Sequence, residues 1–305
     1  MMIRTLIAEQ PVPSTRLAIY RRAVDYLALT KPRVVVMVLI TTTVGFYLAS
    51  PQRLPWLLLC HTLIGVALAA GGTLALNQYL ERDLDARMLR TRLRPLPEGR
   101  LQPNEALGLG VATTAGGLFY LSFMVHPLSG LVTAVSVGSY LFLYTPLKQK
   151  TPLCLIVGAV PGALPPVTGW VAASGELSLP AWVLFAILFL WQIPHSLAIA
   201  ILYREDYARA NFRLLPGVDP DDKDTGRHIV CHCLALCAAG LLPTTLQVAG
   251  MVYFATAFVL GLALLLCGIL VARSPSLTAA RRLLLASLVY LPALLIVMAV
   301  DKVRF

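Results

Sequence analysis

Apolar residues in this chain come in long unbroken blocks, not in the alternation of a half-buried strand. The blocks fall at roughly 34–50, 54–76, 105–125, 128–146, 153–173, 180–201, 228–247, 250–271 and 281–299. Each is near the ~20 residues that carry a helix across a hydrocarbon core. Lipid offers the backbone no hydrogen-bond partners, so each block must be helical. The pattern predicts an all-α polytopic membrane protein with about nine transmembrane helices, its termini on opposite sides. The polar stretches between blocks are too short for a separate soluble domain, so residues 1–305 read as one transmembrane domain.

Composition agrees. Charged residues make up 13% of the 305 positions, about half the share in soluble domains. The net charge of +10 would suit a nucleic-acid binder, but its distribution excludes that reading. All basic residues except Arg53, Lys302 and Arg304 fall in the N-terminal segment or in the loops after blocks 2, 4, 6 and 8. By the positive-inside rule, the N-terminus is cytoplasmic and the C-terminus periplasmic. The first 32 residues carry Glu9 and Asp25 and lack an apolar run with a cleavage site, so they read as neither signal nor transit peptide. A bacterial inner membrane is the expected location.

Two loops on the basic side are long, about 77–104 and 202–227. Each begins with a charged helical extension, which suggests a parallel pseudo-repeat, with four spans in each half and one extra. Prolines and glycines crowd span five, with Gly158, Pro161, Gly162, Pro165, Pro166 and Gly169. Such a span either lines a cavity or lets a neighbour approach closely. The six cysteines lie mostly within apolar spans and do not form a disulfide framework. His228, Cys231, His232, Cys233 and Cys237 cluster at the start of span seven. Their spacing matches no zinc pattern, and the polar start of a helix explains them.

Chemistry concentrates at the end of span two. Asn77, Glu81 and Asp85 are spaced i, i+4, i+8, which places an amide and two carboxylates on one helical face. A row of oxygen ligands suits a hard cation such as Mg²⁺; the alternative is a solvated helix end paired with local arginines. Asp83 lies off that face and pairs locally with Arg82 or Arg87. Arg90 and Arg94, again i, i+4, suit either a diphosphate or anionic lipid. Lys148 and Lys150 either join them or are ordinary loop lysines. A second polar cluster holds Tyr203, Asp206, Tyr207 and Asn211, of which Asp206 and Asn211 could form a second metal face. His195, next to Pro194 inside a span, is a functional candidate by position. It would meet an acceptor, ligate haem iron, act as a base, or make an interhelical hydrogen bond.

Taken together these segments resemble the UbiA-type intramembrane prenyltransferase superfamily, and within it the protohaem IX farnesyltransferase (haem O synthase) branch. The resemblance covers nearly the whole chain. It rests on Asn77-x3-Glu81-x3-Asp85 running into Met88-x-Arg90-Thr91-x2-Arg94-Pro95-Leu96, and on Tyr144-Thr145-Pro146-Leu147-Lys148. Gly158 to Trp170, Pro194-His195-Ser196 and Asp206-Tyr207-x2-Ala210-Asn211 complete it. It implies nine helices around a central cavity, capped by the two long loops. It implies Mg²⁺ on Asn77, Glu81 and Asp85, and diphosphate contacts from Arg90, Arg94 and Lys148. Asp206 joins this catalytic set, while Tyr203, Tyr207, Asn211 and His195 are candidates for substrate binding, His195 toward haem. Glu81 replaces the more usual aspartate, and Gln149 stands where a second basic residue often follows the lysine.

The implied reaction moves a farnesyl group from farnesyl diphosphate to a vinyl group of haem b, giving haem O for terminal oxidase assembly. Haem b, farnesyl diphosphate and the lipid bilayer are the implied partners, together with a haem A synthase or oxidase subunits. Another aromatic or quinone-precursor acceptor is the nearest rival. A transporter would place its polar groups near the midplane, and a non-catalytic haem carrier would bind haem without turnover.

Overall fold

The computed structural model describes residues 15–50, 53–219 and 221–303. Arg4, Glu9 and Arg304, used above for topology and for the leader reading, lie outside the described residues. Among those described, nine helices are long and apolar enough to cross a membrane. There is no strand, only an isolated bridge between Ala249 and Lys302. The predicted spans hold to within a few residues at most ends.

The spans are α2 (Pro32–Ala49), α3 (Trp56–Asp85), α4 (Pro103–Met124), α5 (Pro127–Gly138) with its continuation to Leu147, and α7 (Cys154–Ala163) with α8 (Pro165–Ser174). They continue with α9 (Leu179–Leu202), α12 (Lys223–Thr245), α13 (Met251–Arg273) and α14 (Leu277–Val300). Short helices α6 (Thr145–Leu147), α10 (Arg204–Arg209) and α11 (Leu215–Val218) sit on the basic side. One helix was not expected from the pattern: α1 (Thr15–Leu29) precedes the first span.

The sequence explains three local features. Span two does not end at its last apolar residue. Helix α3 runs 30 residues and carries the Asn77–Asp85 ladder as its last turns, so the polar motif is built on rigid helix, not on loop. Span five is broken at Leu164, between Pro161 and the Pro165–Pro166 pair. Pro165 has no N–H for the carbonyl of Pro161; Ser136 Oγ donates to that oxygen instead, at 2.9 Å. Span four ends in a π-helical turn, Ser139–Tyr144, just before Pro146, the kind of distortion that often marks a functional site.

Small residues set the helix spacing, as transmembrane interfaces require. Helices α2 and α8 approach so closely at Gly45 and Gly169 that a Cβ on either would strike the partner's backbone. The main apolar core gathers α8, α9, α12, α13 and α14 around Val167, Ile187, Leu236, Tyr253 and Leu294. At the far end Lys302 Nζ donates to the carbonyls of Tyr47 (2.8 Å) and Ser50 (2.7 Å), capping the end of α2.

Candidate active site

The basic end of α3 is walled by α1, α2, the π-turn and α6. Gln78 ties α1 to α3, its Nε2 donating to Leu29 O (2.8 Å) and Ala28 O (3.2 Å). This satisfies carbonyls that the end of α1 leaves open. The chain then turns through Lys31, whose backbone is left-handed (φ 48°), and enters α2 at Pro32. That turn aims the Lys31 side chain at the ladder.

Asn77, Glu81 and Asp85 are all buried, and each is met by a different cation. Lys31 Nζ donates to Asn77 Oδ1 at 3.1 Å. Lys148 Nζ donates to Glu81 Oε1 at 2.6 Å. Arg94 Nη1 donates to Asp85 Oδ2 at 2.6 Å. Thr145 fixes the amide of Asn77: Asn77 Nδ2 donates to Thr145 Oγ1 at 3.2 Å, and that hydroxyl donates to Tyr140 O. The oxygen end of Asn77 is thereby turned into the site. Three oxygen side chains on one face suit a hard cation. Three cations against two carboxylates leave room for an anion.

Two cations here have displaced pKa values. Lys31 is lowered to about 7, mainly by burial and then by the nearby Arg94 and Lys148 charges. Burial is the largest influence on Lys148 and pushes it the same way, but the Glu81 carboxylate, Tyr140 and Tyr207 together outweigh it and leave Lys148 above its ordinary value. Lys148 is therefore fixed as a cation. Its ammonium also lies 4.4 Å from the Tyr144 ring centroid.

Beneath the ladder lies a cavity of 290 Å³ between α2, α3, α5, α7 and α9. Its wall is mostly apolar, with Val34, Val66 and Leu155 among its lining, and Tyr140 and Tyr144 line it below the ladder. Span five thus does both things weighed for it: α7 lines the cavity, while Gly169 on α8 packs closely on α2.

The remaining candidates are placed differently. Asp206 does not join the α3 ladder. Its carboxylate accepts from the backbone N–H groups of Leu89 (3.2 Å) and Arg90 (3.3 Å) and from Arg209 Nη1 (2.9 Å). It holds the loop that carries Arg94. Arg90 is paired with neither Glu81 nor Asp85 among the described residues; its guanidinium lies over Tyr203 (5.3 Å) and Tyr207 (5.8 Å). Asn211 adopts a left-handed backbone (φ 55°) and lines, with Tyr207 and Arg213, a separate open pocket. Asp83 is exposed and lies 3.8 Å from Arg82, a local pair. Lys150 is exposed on the loop. His195 stacks on Trp191 (4.7 Å) and shares a hydrogen bond with Ser287 on α14 (2.8 Å). It does not line the central cavity, although Gln192 and Ser196 on the same helix do. Among the described residues no group of three or more His, Cys, Asp or Glu could hold a metal, which covers the His228–Cys237 segment. The α3 set escapes that description because one of its three oxygens is an amide.

Lys31 and Tyr140 are site residues that the sequence reading does not single out, and Thr145 enters it only as part of the Tyr144–Lys148 motif. The one local signal for Lys31 is its place before Pro32 at a helix start, and Tyr140 has none.

A helical membrane bundle with an oxygen ladder and cations above an apolar cavity is a description that relatives can test. The family model for UbiA prenyltransferases matches residues 38–291. The chain belongs to the UbiA prenyltransferase family. Within that family it is similar to the protoheme IX farnesyltransferase of Solibacter usitatus (strain Ellin6076). The two are 46% identical over 287 residues, covering 91% of this chain and 98% of the relative. The protein of the same name from Koribacter versatilis (strain Ellin345) is 42% identical over 304 residues, covering 96% of this chain and 98% of the relative. Solved structures share the fold at low identity. A digeranylgeranylglyceryl phosphate synthase superposes with a TM-score of 0.79 at 17% identity, over 93% of this chain and 100% of that one. A UbiA homologue from Archaeoglobus fulgidus bound to GPP and Mg²⁺ gives 0.64 at 16%, over 90% and 99%. The expectation of a UbiA-like all-α membrane fold is borne out.

Proposed function

We propose that this chain transfers the farnesyl group of farnesyl diphosphate to a vinyl group of haem b, producing haem O in a bacterial inner membrane. The observation that carries the reading is the arrangement at the top of the cavity. Buried oxygen donors and three cations sit over an apolar space suited to a prenyl tail. The choice of haem as acceptor rests on the identity of 46% to a protoheme IX farnesyltransferase over nearly its whole length.

The oxygens of Asn77, Glu81 and Asp85 would hold Mg²⁺. That ion, when bound, supplies positive charge against the diphosphate oxygens. The protein's own residues do the rest. Lys148, Arg94 and Lys31 leave their oxygen partners for the diphosphate and stabilise its charge as the allylic C–O bond lengthens, in a site where water does not screen them. Tyr140 and Tyr144 lie beneath the anion and present π faces and apolar edges to the developing allylic cation. Asp206 keeps the Arg94 loop in place. Val34, Val66, Leu155 and their neighbours hold the tail and keep solvent from the cation. Both substrates partition into lipid, which suits an active site built among membrane-spanning helices. The loops with the basic residues face the cytoplasm, the side that attracts them. His195 could orient the porphyrin from the α9–α14 side. A downstream haem-modifying enzyme or an oxidase subunit would take the product by direct docking.

The test is mass spectrometry of pigments formed by the purified protein in lipid nanodiscs with haem b, farnesyl diphosphate and Mg²⁺. A haem enlarged by farnesyl plus water, absent without the metal, supports the reading. Unchanged haem b beside an active control enzyme points to another prenyl acceptor.

A further inference from the structure

One amide stands on the wall of the mostly apolar cavity. Gln192 on α9 donates its Nε2 to Leu188 O (3.0 Å) and to Ala159 O on α7 (3.3 Å). Carbonyls can only accept, so these bonds fix which end of the amide is nitrogen, and they leave Oε1 beside Gly162 on the cavity wall. That oxygen has no protein donor among the described residues. One turn along α9, Ser196 lines the same wall, and its hydroxyl also has no partner among the described residues. Of the other aliphatic hydroxyls of this wall, Thr73, Thr133 and Ser136 are each bonded to a carbonyl, and Thr168 is bonded to Thr133. A polar pair one helical turn apart can hold a single water, which needs two or more partners.

The depth of this pair matters. Gly162 on α7 lies so close to the Gln192 amide that a Cβ there would collide with it, and Gly158, one turn earlier, does the same for the Tyr144 ring. Tyr144 and Gln192 are therefore neighbours along the wall, about 6 Å apart by the spacing of one turn. Tyr144 lies under Lys148, which holds Glu81. The order downward from the basic face is Glu81, Lys148, Tyr144, Gln192. The reacting farnesyl carbon is one bond below the diphosphate, so the new carbon–carbon bond forms at the level of Tyr144 and Gln192.

We propose that Gln192 and Ser196 hold the water that completes the product, an inference that rests on the farnesyl-transfer reading. The allylic C–O bond breaks with its electron pair going to the diphosphate. The terminal vinyl carbon gives its π pair to the farnesyl carbon, which leaves the inner vinyl carbon electron-poor beside the pyrrole. A lone pair of the held water closes that carbon, and the water's proton passes to the departing diphosphate. Haem b, farnesyl diphosphate and water thus give the hydroxyethylfarnesyl haem and protonated diphosphate. Without a held water the same cation loses a proton from its neighbouring carbon and yields an alkene one water lighter.

The experiment reads the ratio of hydroxylated to dehydrated farnesyl haem by mass spectrometry, in heavy-oxygen water, for the unaltered chain and for Gln192→Met, Ser196→Ala and Gly162→Ala. The unaltered chain incorporates the label. Gln192→Met shifts the ratio toward the alkene by about tenfold, the effect of losing one hydrogen bond. Ser196→Ala shifts it less, in the same direction. Gly162→Ala, which displaces the amide without removing it, shifts it as well and gives the same readout if Gln192→Met does not fold. A fall in total farnesylation with the ratio unchanged in all three variants overturns the water role alone. No farnesylated haem from the unaltered chain overturns the transfer reading and the water role together.

Discussion

Lys148 and Glu81 form a buried ion pair of 2.6 Å between the end of span four and the ladder on α3. Neither side chain is more than 11% exposed. Removing one member strands a charge in a site that cannot solvate it, at a cost of about 3–5 kcal/mol. Lys148→Met is therefore expected to lower the unfolding temperature of the detergent-solubilised protein without Mg²⁺, and adding Mg²⁺ is expected to restore much of the loss by giving Glu81 a new cation. Turnover is expected to fall about 100-fold or more even with the metal, because a charge opposite the leaving group is gone. Thermal melts with and without Mg²⁺, paired with initial rates, check this. Full activity in the variant would remove Lys148 from the diphosphate.

Asp85 is the ladder position nearest the basic face, and its partner is Arg94 at 2.6 Å. Asp85→Asn keeps the shape and removes the charge. The expected outcome is a rise of about tenfold or more in the Mg²⁺ concentration for half-maximal rate, with haem binding intact by absorbance titration. Unaltered metal dependence would mean that the ladder is a structural helix end clamped by arginine and lysine.

How much of this was legible beforehand depends on whether a signal is local. The spans were readable because the length of apolar runs is a property of consecutive residues. The ladder was readable because i, i+4, i+8 on one helix fixes a face. Lys31 was not, because its approach to Asn77 depends on α1, an unpredicted helix that Gln78 docks. The turn of Arg90 toward Tyr203 and Tyr207, and the use of the Asp206 carboxylate on the backbone of residues 89 and 90, are likewise contacts between elements more than 100 residues apart. Spacing within either motif carries no trace of them. His195 was readable as a polar group in a span, but which helix it faces is set by packing, and it faces α14.

Asp206 acts on the Arg94 loop through two backbone N–H groups. Asp206→Ala leaves those donors without their acceptor, at about 1–3 kcal/mol. The loop from Met88 to Arg94 is expected to loosen while the ladder stays formed. Amide hydrogen exchange should speed up in that peptide and not in the α3 peptide through Asp85. The kinetic consequence is expected in KM for the prenyl diphosphate more than in kcat, since Arg94 is misplaced, not removed. A second metal on Asp206 predicts the opposite split, with Mg²⁺ dependence altered and loop exchange unchanged.

Lys31 trades stability for binding. Its pKa is lowered from 10.5 to about 7, chiefly by burial and secondarily by Arg94 and Lys148. The unfolded chain carries a proton there up to about its ordinary value, while the folded protein releases it near 7. Between those two values the unfolded state binds more protons, so this group's contribution to stability rises with pH across that window and is at its most unfavourable below about 7. Lys31→Met removes the penalty. The variant is expected to melt higher than the unaltered protein in the absence of ligand, by roughly 2–4 °C near neutral pH, with the gap shrinking as pH is raised toward 10. Bound diphosphate supplies the negative charge that lets Lys31 keep its proton, so the same variant is expected to bind farnesyl diphosphate about tenfold or more weakly. Melting curves across pH and a titration with diphosphate decide the matter. A variant that is less stable than the unaltered chain at every pH and binds diphosphate normally would make Lys31 a plain structural donor to Asn77.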